Sequence, residues 1–177
     1  MNLEELYNSA VNHQTSHNCS AHPYESYQRL FELVQEHKPK NILEIGSGNG
    51  FSAMVMSLAN PDSSILSLEK DLEHFNVAQE TVKSHNLYKN IKFVHAIAEE
   101  YLPTLNQTFD LIFFDGFQIH YEFLPHYLRL LKTGGILVLG NNHLGSRTSE
   151  QFFSELENGG HWEILDKFAE TTVAERK

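Results

Sequence analysis

The sequence NILEIGSGNG at positions 41–50 joins a short apolar run to a cluster of three glycines. The residues that follow, 51–59, are mostly apolar and end at an Asn-Pro-Asp turn, which is typical of a buried helix. Glycines between a strand and a helix allow positive φ angles and let a ligand approach the backbone closely. The stretch therefore predicts a strand, a tight turn and a helix, with a ligand at the carboxyl end of the strand.

The rest of the chain alternates apolar runs with segments of helical length. Further apolar runs lie at 64–69, 91–95, 110–114 and 135–139. The clearest helical patterns cover 3–11, 24–36, 71–85 and 121–131. Such alternation is typical of strand–helix–strand crossovers, and the almost continuous apolar character of the runs favours strands that are buried on both faces. The sequence predicts an open α/β fold with a parallel sheet.

The end of the chain departs from this alternation. Two strand-like runs, 162–168 and 171–175, are separated by only two residues. A connection this short can join antiparallel neighbours but not parallel ones. We therefore expect an antiparallel hairpin at the end of the sheet.

Length and composition describe one folded domain. The chain has 177 residues, of which 41% are hydrophobic and 20% charged, and this balance excludes a disordered chain. It shows no linker or internal repeat. No apolar run approaches the roughly 18 residues that a membrane span requires, and the first residues are acidic rather than basic as in a secretory signal. We expect a single domain over 1–177 with no membrane partner.

The net charge limits the class of partner, and the cysteine content indicates the cellular compartment. The formal net charge is -10, and no local cluster of basic residues is visible. Such a field repels polyanions and favours neutral or cationic small ligands, so nucleic acid is not a favoured partner. The one cysteine, Cys19, cannot form an intrachain disulfide, which fits a reducing, cytoplasmic compartment.

An acidic residue at the end of the second apolar run points to a nucleoside. Glu69 follows Gly50 by 19 residues, close to the roughly 20 at which a carboxylate takes ribose hydroxyls in nucleotide-binding folds. A dinucleotide is the alternative ligand. It fits less well, because Phe51 stands where a third glycine or alanine belongs and Glu44 would face a pyrophosphate. A carboxylate at Glu44 suits a cationic ligand better.

Four motifs follow one another along the chain: LEIGSGNGFS at 43–52, FDLIFFDG at 109–116 with Tyr121 beyond it, LLKTGG at 130–135 and NNHLG at 141–145. In this order and spacing they resemble class I methyltransferases that use S-adenosylmethionine, and among them the small catechol and caffeoyl-CoA type O-methyltransferases. The resemblance runs from about residue 27 to the end of the chain. It implies a Rossmann-like three-layer sandwich with a seven-stranded, mostly parallel sheet and an antiparallel last strand. Residues 1–38 would form a helical cap, and 39–177 the cofactor-binding α/β core.

The same resemblance implies a set of residues that bind S-adenosylmethionine. Its methionine part would lie against Glu44, Gly46, Ser47, Gly48, Gly50 and Ser52. Glu69 would take the ribose hydroxyls, and the adenine would lie against Ala96, Ile97 and Ala98. Asp115 would lie close to the transferred methyl group and count among both the cofactor-binding and the catalytic residues.

The acceptor end departs from the metal-dependent members of that group. They hold a divalent ion with an Asp and an Asp-Asn pair, and a lysine assists deprotonation. Here Asp115 and Asn142 match, but Asn141 replaces the second Asp and Gln118 replaces the lysine. Loss of a carboxylate weakens a site for Mg²⁺, which prefers anionic oxygen ligands. A metal site at Asp115, Asn141 and Asn142 is therefore a weak prediction, and metal-independent catalysis is favoured.

Without a metal or a lysine, a histidine is the natural group to take the proton from an oxygen acceptor. His120 and His143 lie near Asp115 and Asn142 in the sequence and are the candidates. A separate group, His13, His17, Cys19 and His22, could bind zinc but matches no structural zinc spacing, so a polar loop or lid is favoured.

The prediction is a cytoplasmic methyltransferase that uses S-adenosylmethionine and acts on oxygen of a small molecule. A cofactor-binding pseudoenzyme and an RNA methyltransferase are the alternatives. The oligomeric state is undecided at this point, and a homodimer is one possibility.

Overall fold

The computed structural model describes residues 2–17, 22–87, 89–142 and 146–177, and the strands in these ranges form one seven-stranded sheet. In chain order they are β1 (Asn41–Ile45), β2 (Ser64–Glu69), β3 (Ile91–His95), β4 (Phe109–Phe114), β5 (Leu131–Leu139), β6 (Trp162–Phe168) and β7 (Thr171–Arg176). Their spatial order is β3-β2-β1-β4-β5-β7-β6. Strand β7 runs antiparallel to both β5 and β6, whereas the other pairs are parallel. The predicted mostly parallel sheet and its terminal hairpin are confirmed.

Helices cover both faces of the sheet. They are α1 (Leu3–His17), α2 (Tyr27–His37), α3 (Phe51–Ala59), α4 (Leu72–Ser84), α5 (Ala98–Tyr101), α6 (Leu124–Leu130) and α7 (Arg147–Asn158). The described residues also contain two one-turn 3-10 helices, Leu102–Thr104 and Tyr121–Phe123. Within the described residues, none of these helices is both long and apolar enough to cross a membrane.

The helix expected over 121–131 begins later than its pattern suggests. Tyr121–Phe123 forms a 3-10 turn, and α6 starts only at Leu124, with Pro125 in its first turn. A proline has no N–H group, so Pro125 cannot donate to the carbonyl four residues earlier and extend α6 toward its N-terminus. At the other end, Leu131 already belongs to β5.

Adjacent residues of a strand feed two separate hydrophobic clusters. Ile42 contributes to a cluster with Leu6 of α1 and Leu30 of α2, whereas Leu43 contributes to a cluster with Tyr127 of α6. Side chains alternate between the faces of a strand, so each cluster lies on its own side of the sheet. The structure is therefore the Rossmann-like three-layer sandwich that the resemblance implies, and α1 and α2 pack into the same core as the sheet.

The strand order places a ligand site between β1 and β4. From β1 the chain proceeds outward to β2 and β3, then returns to add β4 on the other side of β1. The loops that leave β1 and β4 consequently diverge at this point, which is where open α/β sheets bind ligands. The two loops begin in close contact, because the Asp115 amide donates to the carbonyl of Ile45 at 2.9 Å.

Candidate active site

A cleft of about 990 Å³ opens at the carboxyl ends of the parallel strands. Its walls come from the glycine loop after β1, the turn after β2, the start of α5, the loop 115–120 after β4, the segment 22–26 and the turn between β6 and β7. This volume suits a ligand of nucleoside size or larger. Eight of the predicted cofactor-binding residues line it together: Gly46, Ser47, Gly48, Ser52, Glu69, Ala96, Ala98 and Asp115.

The glycine loop lies directly against the loop that follows β4. Gly46 has φ +93°, and a Cβ atom built there would lie 2.7 Å from the carbonyl oxygen of Asp115. Only glycine meets both conditions without strain. Next to it, the buried Ser47 side chain lines the cleft, and its Oγ has no hydrogen-bond partner among the described residues. A buried hydroxyl without a partner fits a ligand that supplies one.

Glu69, at the end of β2, is held with its carboxylate at the cleft. Its Oε2 accepts from the Gly48 amide at 2.8 Å and its Oε1 from the Asp71 amide at 2.9 Å. Each carboxylate oxygen can accept a second hydrogen bond. The residue is 7% exposed, so its remaining acceptor capacity faces the cleft that it lines. This geometry can accept a pair of neighbouring hydroxyls.

Glu44 lies beneath the cleft rather than on its surface, which differs from the direct contact that we expected. It is fully buried and accepts from Ser52 Oγ at 2.5 Å and from Ser67 Oγ. Burial, and to a smaller extent the charge of Glu69, raise its pKa to about 7, against the two serine hydrogen bonds that lower it. Glu44 can therefore act on a ligand through its charge or through Ser52, which does line the cleft.

Two other predicted residues also lie off the cleft surface. Gly50 is the N-cap of α3, and a Cβ atom built there would lie 3.3 Å from Ala78 of α4. Ile97 is 46% exposed and, unlike Ala96 and Ala98, does not line the cleft. The change of direction where β3 leads into α5 turns Ala96 and Ala98 toward the cleft and Ile97 away from it.

Asp115 and Asn141 form a hydrogen-bonded pair among the residues that line the cleft. Asn141 Nδ2 donates to Asp115 Oδ1 at 3.0 Å and to the carbonyl of Gly116 at 3.1 Å. Burial raises the pKa of Asp115 well above its usual value, and the charge of Glu44 raises it further, whereas Asn141 lowers it. Both partners of the amide are acceptors, so the NH₂ group of Asn141 faces Asp115 where a metal ligand would have to present an oxygen.

The third predicted metal ligand faces elsewhere. Asn142 Nδ2 donates to Thr172 Oγ1 of β7 at 2.8 Å, and the backbone amide of Asn142 donates to the carbonyl of Glu170. Its side chain is not part of the cleft lining. Across the ranges that the structure describes, no group of three His, Cys, Asp or Glu side chains could hold a metal ion. The residues present therefore do not fit a divalent cation held by Asp115, Asn141 and Asn142 together.

Of the two candidate bases, His120 lines the cleft, half-buried, with Nδ1 at 3.2 Å from Thr148 Oγ1 of α7. His143 lies outside the described residues. Among the N-terminal group, His13 stacks on His17 with ring centroids 4.3 Å apart, and His22 contacts Gln14. Cys19 also lies outside the described residues.

Tyr24 is a cleft residue that the sequence did not single out. Its ring packs against Phe113, and its hydroxyl lies 2.6 Å from Thr171 Oγ1 at the start of β7. Burial raises the pKa of Tyr24 to about 12, so the phenol keeps its proton and can donate. The two hydroxyl groups come from positions 147 residues apart, and no local pattern could have paired them.

Comparison with known proteins agrees with this architecture. The family model described as O-methyltransferase matches residues 1–151. A catechol O-methyltransferase of Niastella koreensis is 33% identical over 115 residues, covering 62% of this chain and 52% of that protein. The ribosomal RNA small subunit methyltransferase G of Syntrophomonas wolfei is 30% identical over 140 residues, covering 78% and 64%.

A methyltransferase of Podospora anserina, crystallised with SAH bound, superposes with a TM-score of 0.84 at 21% identity, over 99% of this chain and 87% of that one. The chain spans about half to two thirds of the length of the curated relatives that it matches. The family match extends from the first helix through the glycine loop and β4 into α7 and so includes most of the cleft. The chain belongs to the O-methyltransferase family.

Proposed function

We propose that the protein transfers the methyl group of S-adenosylmethionine to an oxygen of a small molecule. The observation that carries this proposal is Glu69, whose carboxylate is held at the cleft by the amides of Gly48 and Asp71 with room for two further hydrogen bonds. A ribose presents such a pair of hydroxyls. The O-methyltransferase family and the SAH-bound relative support the same ligand.

The chain offers a complementary surface to each part of this cofactor. Glu69 would hold the ribose, Ala96 and Ala98 the adenine, and Ser47 the methionine carboxylate, whose oxygens supply the partner that Ser47 Oγ lacks. The buried charge of Glu44 favours a cationic group above it. When bound, the cofactor supplies a methyl group already activated on a sulfonium. The protein then has to orient the acceptor, exclude water and remove one proton.

Calorimetry with S-adenosylmethionine and S-adenosylhomocysteine on chelator-treated protein tests the proposal. Glu69→Gln should bind both about thirtyfold more weakly, because the amide places a donor against one of the two backbone N–H groups and loses the charge-assisted bonds to the ribose. Glu80→Gln, an exposed carboxylate on α4, is the matched control and should bind as the wild type does. Equal affinity of Glu69→Gln and wild type would contradict the assignment of the ribose site.

Turnover separates the enzyme from its alternatives. Formation of S-adenosylhomocysteine with a hydroxylated small molecule supports the enzyme, whereas binding without turnover of any acceptor would indicate a pseudoenzyme. The ribosomal RNA relative makes RNA the second acceptor class to test. The net charge of -10 favours the small molecule, since an RNA-binding face relies on positive charge.

We infer that the reaction needs no divalent cation. The NH₂ group of Asn141 takes the place beside Asp115 that a cation would need. In that arrangement Asp115 and Tyr24 orient the acceptor by hydrogen bonds, and His120 receives its proton. The acceptor is neutral or cationic, because Glu25 and Glu170 line the cleft.

Turnover is expected to survive exhaustive chelation unchanged, and adding Mg²⁺ or Mn²⁺ should not raise it. Asn141→Asp is the informative variant, since it replaces the amide donor with a carboxylate and should gain metal-dependent heat in a Mn²⁺ titration that wild type lacks. Turnover that is lost on chelation and restored only by Mg²⁺ or Mn²⁺ would overturn this part of the proposal.

Residues 1–38 would act as a helical cap on the core 39–177, since α1 and α2 pack on the sheet and the segment 22–26 forms one wall of the cleft. The single cysteine supports action in the cytoplasm. Light scattering decides between monomer and homodimer.

A further inference from the structure

The loop 115–120, which carries His120, is fastened to the first turn of α7 by hydroxyl groups. Ser149 Oγ donates to the carbonyl of Ile119 at 2.8 Å, and Thr148 Oγ1 lies 3.2 Å from His120 Nδ1. The Oγ atom of Ser146, the N-cap residue of α7, lies 3.0 Å from Thr148 Oγ1 and 3.0 Å from Ser149 Oγ. The four side chains thus form one continuous chain of hydrogen bonds from a backbone carbonyl to an imidazole.

The direction of this chain follows from the carbonyl at its end. A carbonyl only accepts, so the hydroxyl proton of Ser149 goes to Ile119, and Ser149 Oγ can only accept from Ser146. The single proton of Ser146 is thereby used, while its oxygen also accepts from the Ser149 amide at 3.2 Å. At the next contact Thr148 must therefore donate to Ser146.

The last link then has only one solution. Because the proton of Thr148 points to Ser146, Thr148 Oγ1 can only accept from His120, and Nδ1 of His120 must carry a hydrogen. In a neutral imidazole the second nitrogen is then an unprotonated acceptor. Nε2 lies on the edge of the ring away from Thr148, and His120 is a lining residue of the cleft.

We propose that Ser149, Ser146 and Thr148 are positioning residues that fix His120 in the tautomer with its proton on Nδ1 and so make Nε2 the base for the acceptor hydroxyl. The inference rests on the proposed methyl transfer for its purpose, but the tautomer itself does not depend on it. An unconstrained histidine in water carries its proton mainly on Nε2, so the chain of hydroxyls opposes the default state.

As the acceptor oxygen forms its bond to the methyl carbon and the carbon–sulfur bond breaks, the hydroxyl proton moves to Nε2 of His120. The resulting imidazolium keeps its Nδ1–H bond to Thr148 and later returns the Nε2 proton to solvent. The sulfur leaves as a neutral thioether, and no other reactant is needed.

Nitrogen NMR of protein labelled with ¹⁵N-histidine tests the tautomer directly at a pH where His120 is neutral, with its signals assigned from His120→Gln. Wild type should show a protonated Nδ1 and an unprotonated Nε2. Thr148→Val keeps the side-chain shape without the hydroxyl, and Ser149→Ala removes the group that sets the direction. Both should move the population toward protonated Nε2. Ser154→Ala, an exposed serine on α7 outside the chain of bonds, should match wild type.

Kinetics supplies the second readout. Thr148→Val and Ser149→Ala should lower kcat about tenfold while the affinity for S-adenosylmethionine stays at the wild-type value, and His120→Ala should lower kcat at least as much. A wild-type His120 protonated on Nε2, or a tautomer unchanged in both variants, would overturn the proposal. The expected tautomer in a protein that transfers no methyl group would instead support the chain of bonds and reject the proposed function.

Discussion

Gly46→Ala is expected to lower the free energy of unfolding by about 3 kcal/mol, from left-handed strain of a non-glycine residue together with overpacking. The new methyl group would lie 2.7 Å from the carbonyl oxygen and 2.9 Å from the carbonyl carbon of Asp115, both backbone atoms of a loop fixed to β1. Relief requires the loops after β1 and β4 to separate. Because both line the cleft, affinity for S-adenosylmethionine should fall at least about a hundredfold, the equivalent of about 2.7 kcal/mol.

Gly134→Ala is the matched control. Gly134 has φ +75°, but a Cβ atom there meets nothing within 4 Å. Gly134→Ala therefore introduces the conformational strain alone. It should lower the free energy of unfolding by about 1 kcal/mol and leave the affinity for the cofactor unchanged. Urea unfolding followed by the fluorescence of Trp162, the single tryptophan, measures both variants. If the two glycines gave the same loss of stability, the close approach of the two loops would not be what Gly46 is needed for.

Glu44→Gln should make the cofactor-free protein more stable at pH 8, by up to about 3 kcal/mol for a pKa raised from 4.5 to about 7. Between those values the folded protein binds the proton that the unfolded chain has already released, so stability falls as pH rises through this window. Glutamine keeps the shape without the buried charge; its oxygen can accept from one of the two serines, Ser52 and Ser67, and its NH₂ group can donate to the hydroxyl oxygen of the other. Near pH 4, where Glu44 is protonated in both states, the variant and wild type should be alike.

The same substitution should weaken binding of the cationic cofactor, because the buried negative charge that favours it is gone. Urea unfolding at pH 4 and pH 8, with calorimetry of S-adenosylmethionine at pH 8, checks both effects. Glu150→Gln, an exposed carboxylate on α7, controls for the loss of one negative charge. Equal stability of Glu44→Gln and wild type at pH 8 would show that the serines fully offset the burial of the charge.

The fold was predictable because its signals are local. Each parallel strand is an apolar run bounded by turn residues, and the two-residue connection of the last pair permits only a hairpin. The full length of α1 was not predictable, because positions 12–17 are mainly polar and show no apolar periodicity. The start of α6 depends on the hydrogen bond that Pro125 cannot make, which an apolar pattern does not record.

The candidate site was predictable in outline only. Motifs indicated which loops would meet, and the structure brings Ser47, Glu69 and Asp115 to one cleft. How deeply each side chain is buried and which way it points were not predictable, because both depend on residues distant in sequence. The buried Glu44 accepts a hydrogen bond from Ser67 of the neighbouring strand, and the hydroxyl of Tyr24 is hydrogen-bonded to Thr171.

Asn142 fastens the segment that follows β5 to the terminal hairpin. Its amide and side chain attach the end of β5 to Glu170 and Thr172, and the hairpin also holds the hydroxyl of Tyr24 through Thr171. The proposed nucleoside pocket instead depends on β1, β2 and β3. We therefore expect a different turn between β6 and β7 to change the acceptor preference of the proposed enzyme and to leave its cofactor binding unchanged, which makes these few residues the first target for directed evolution.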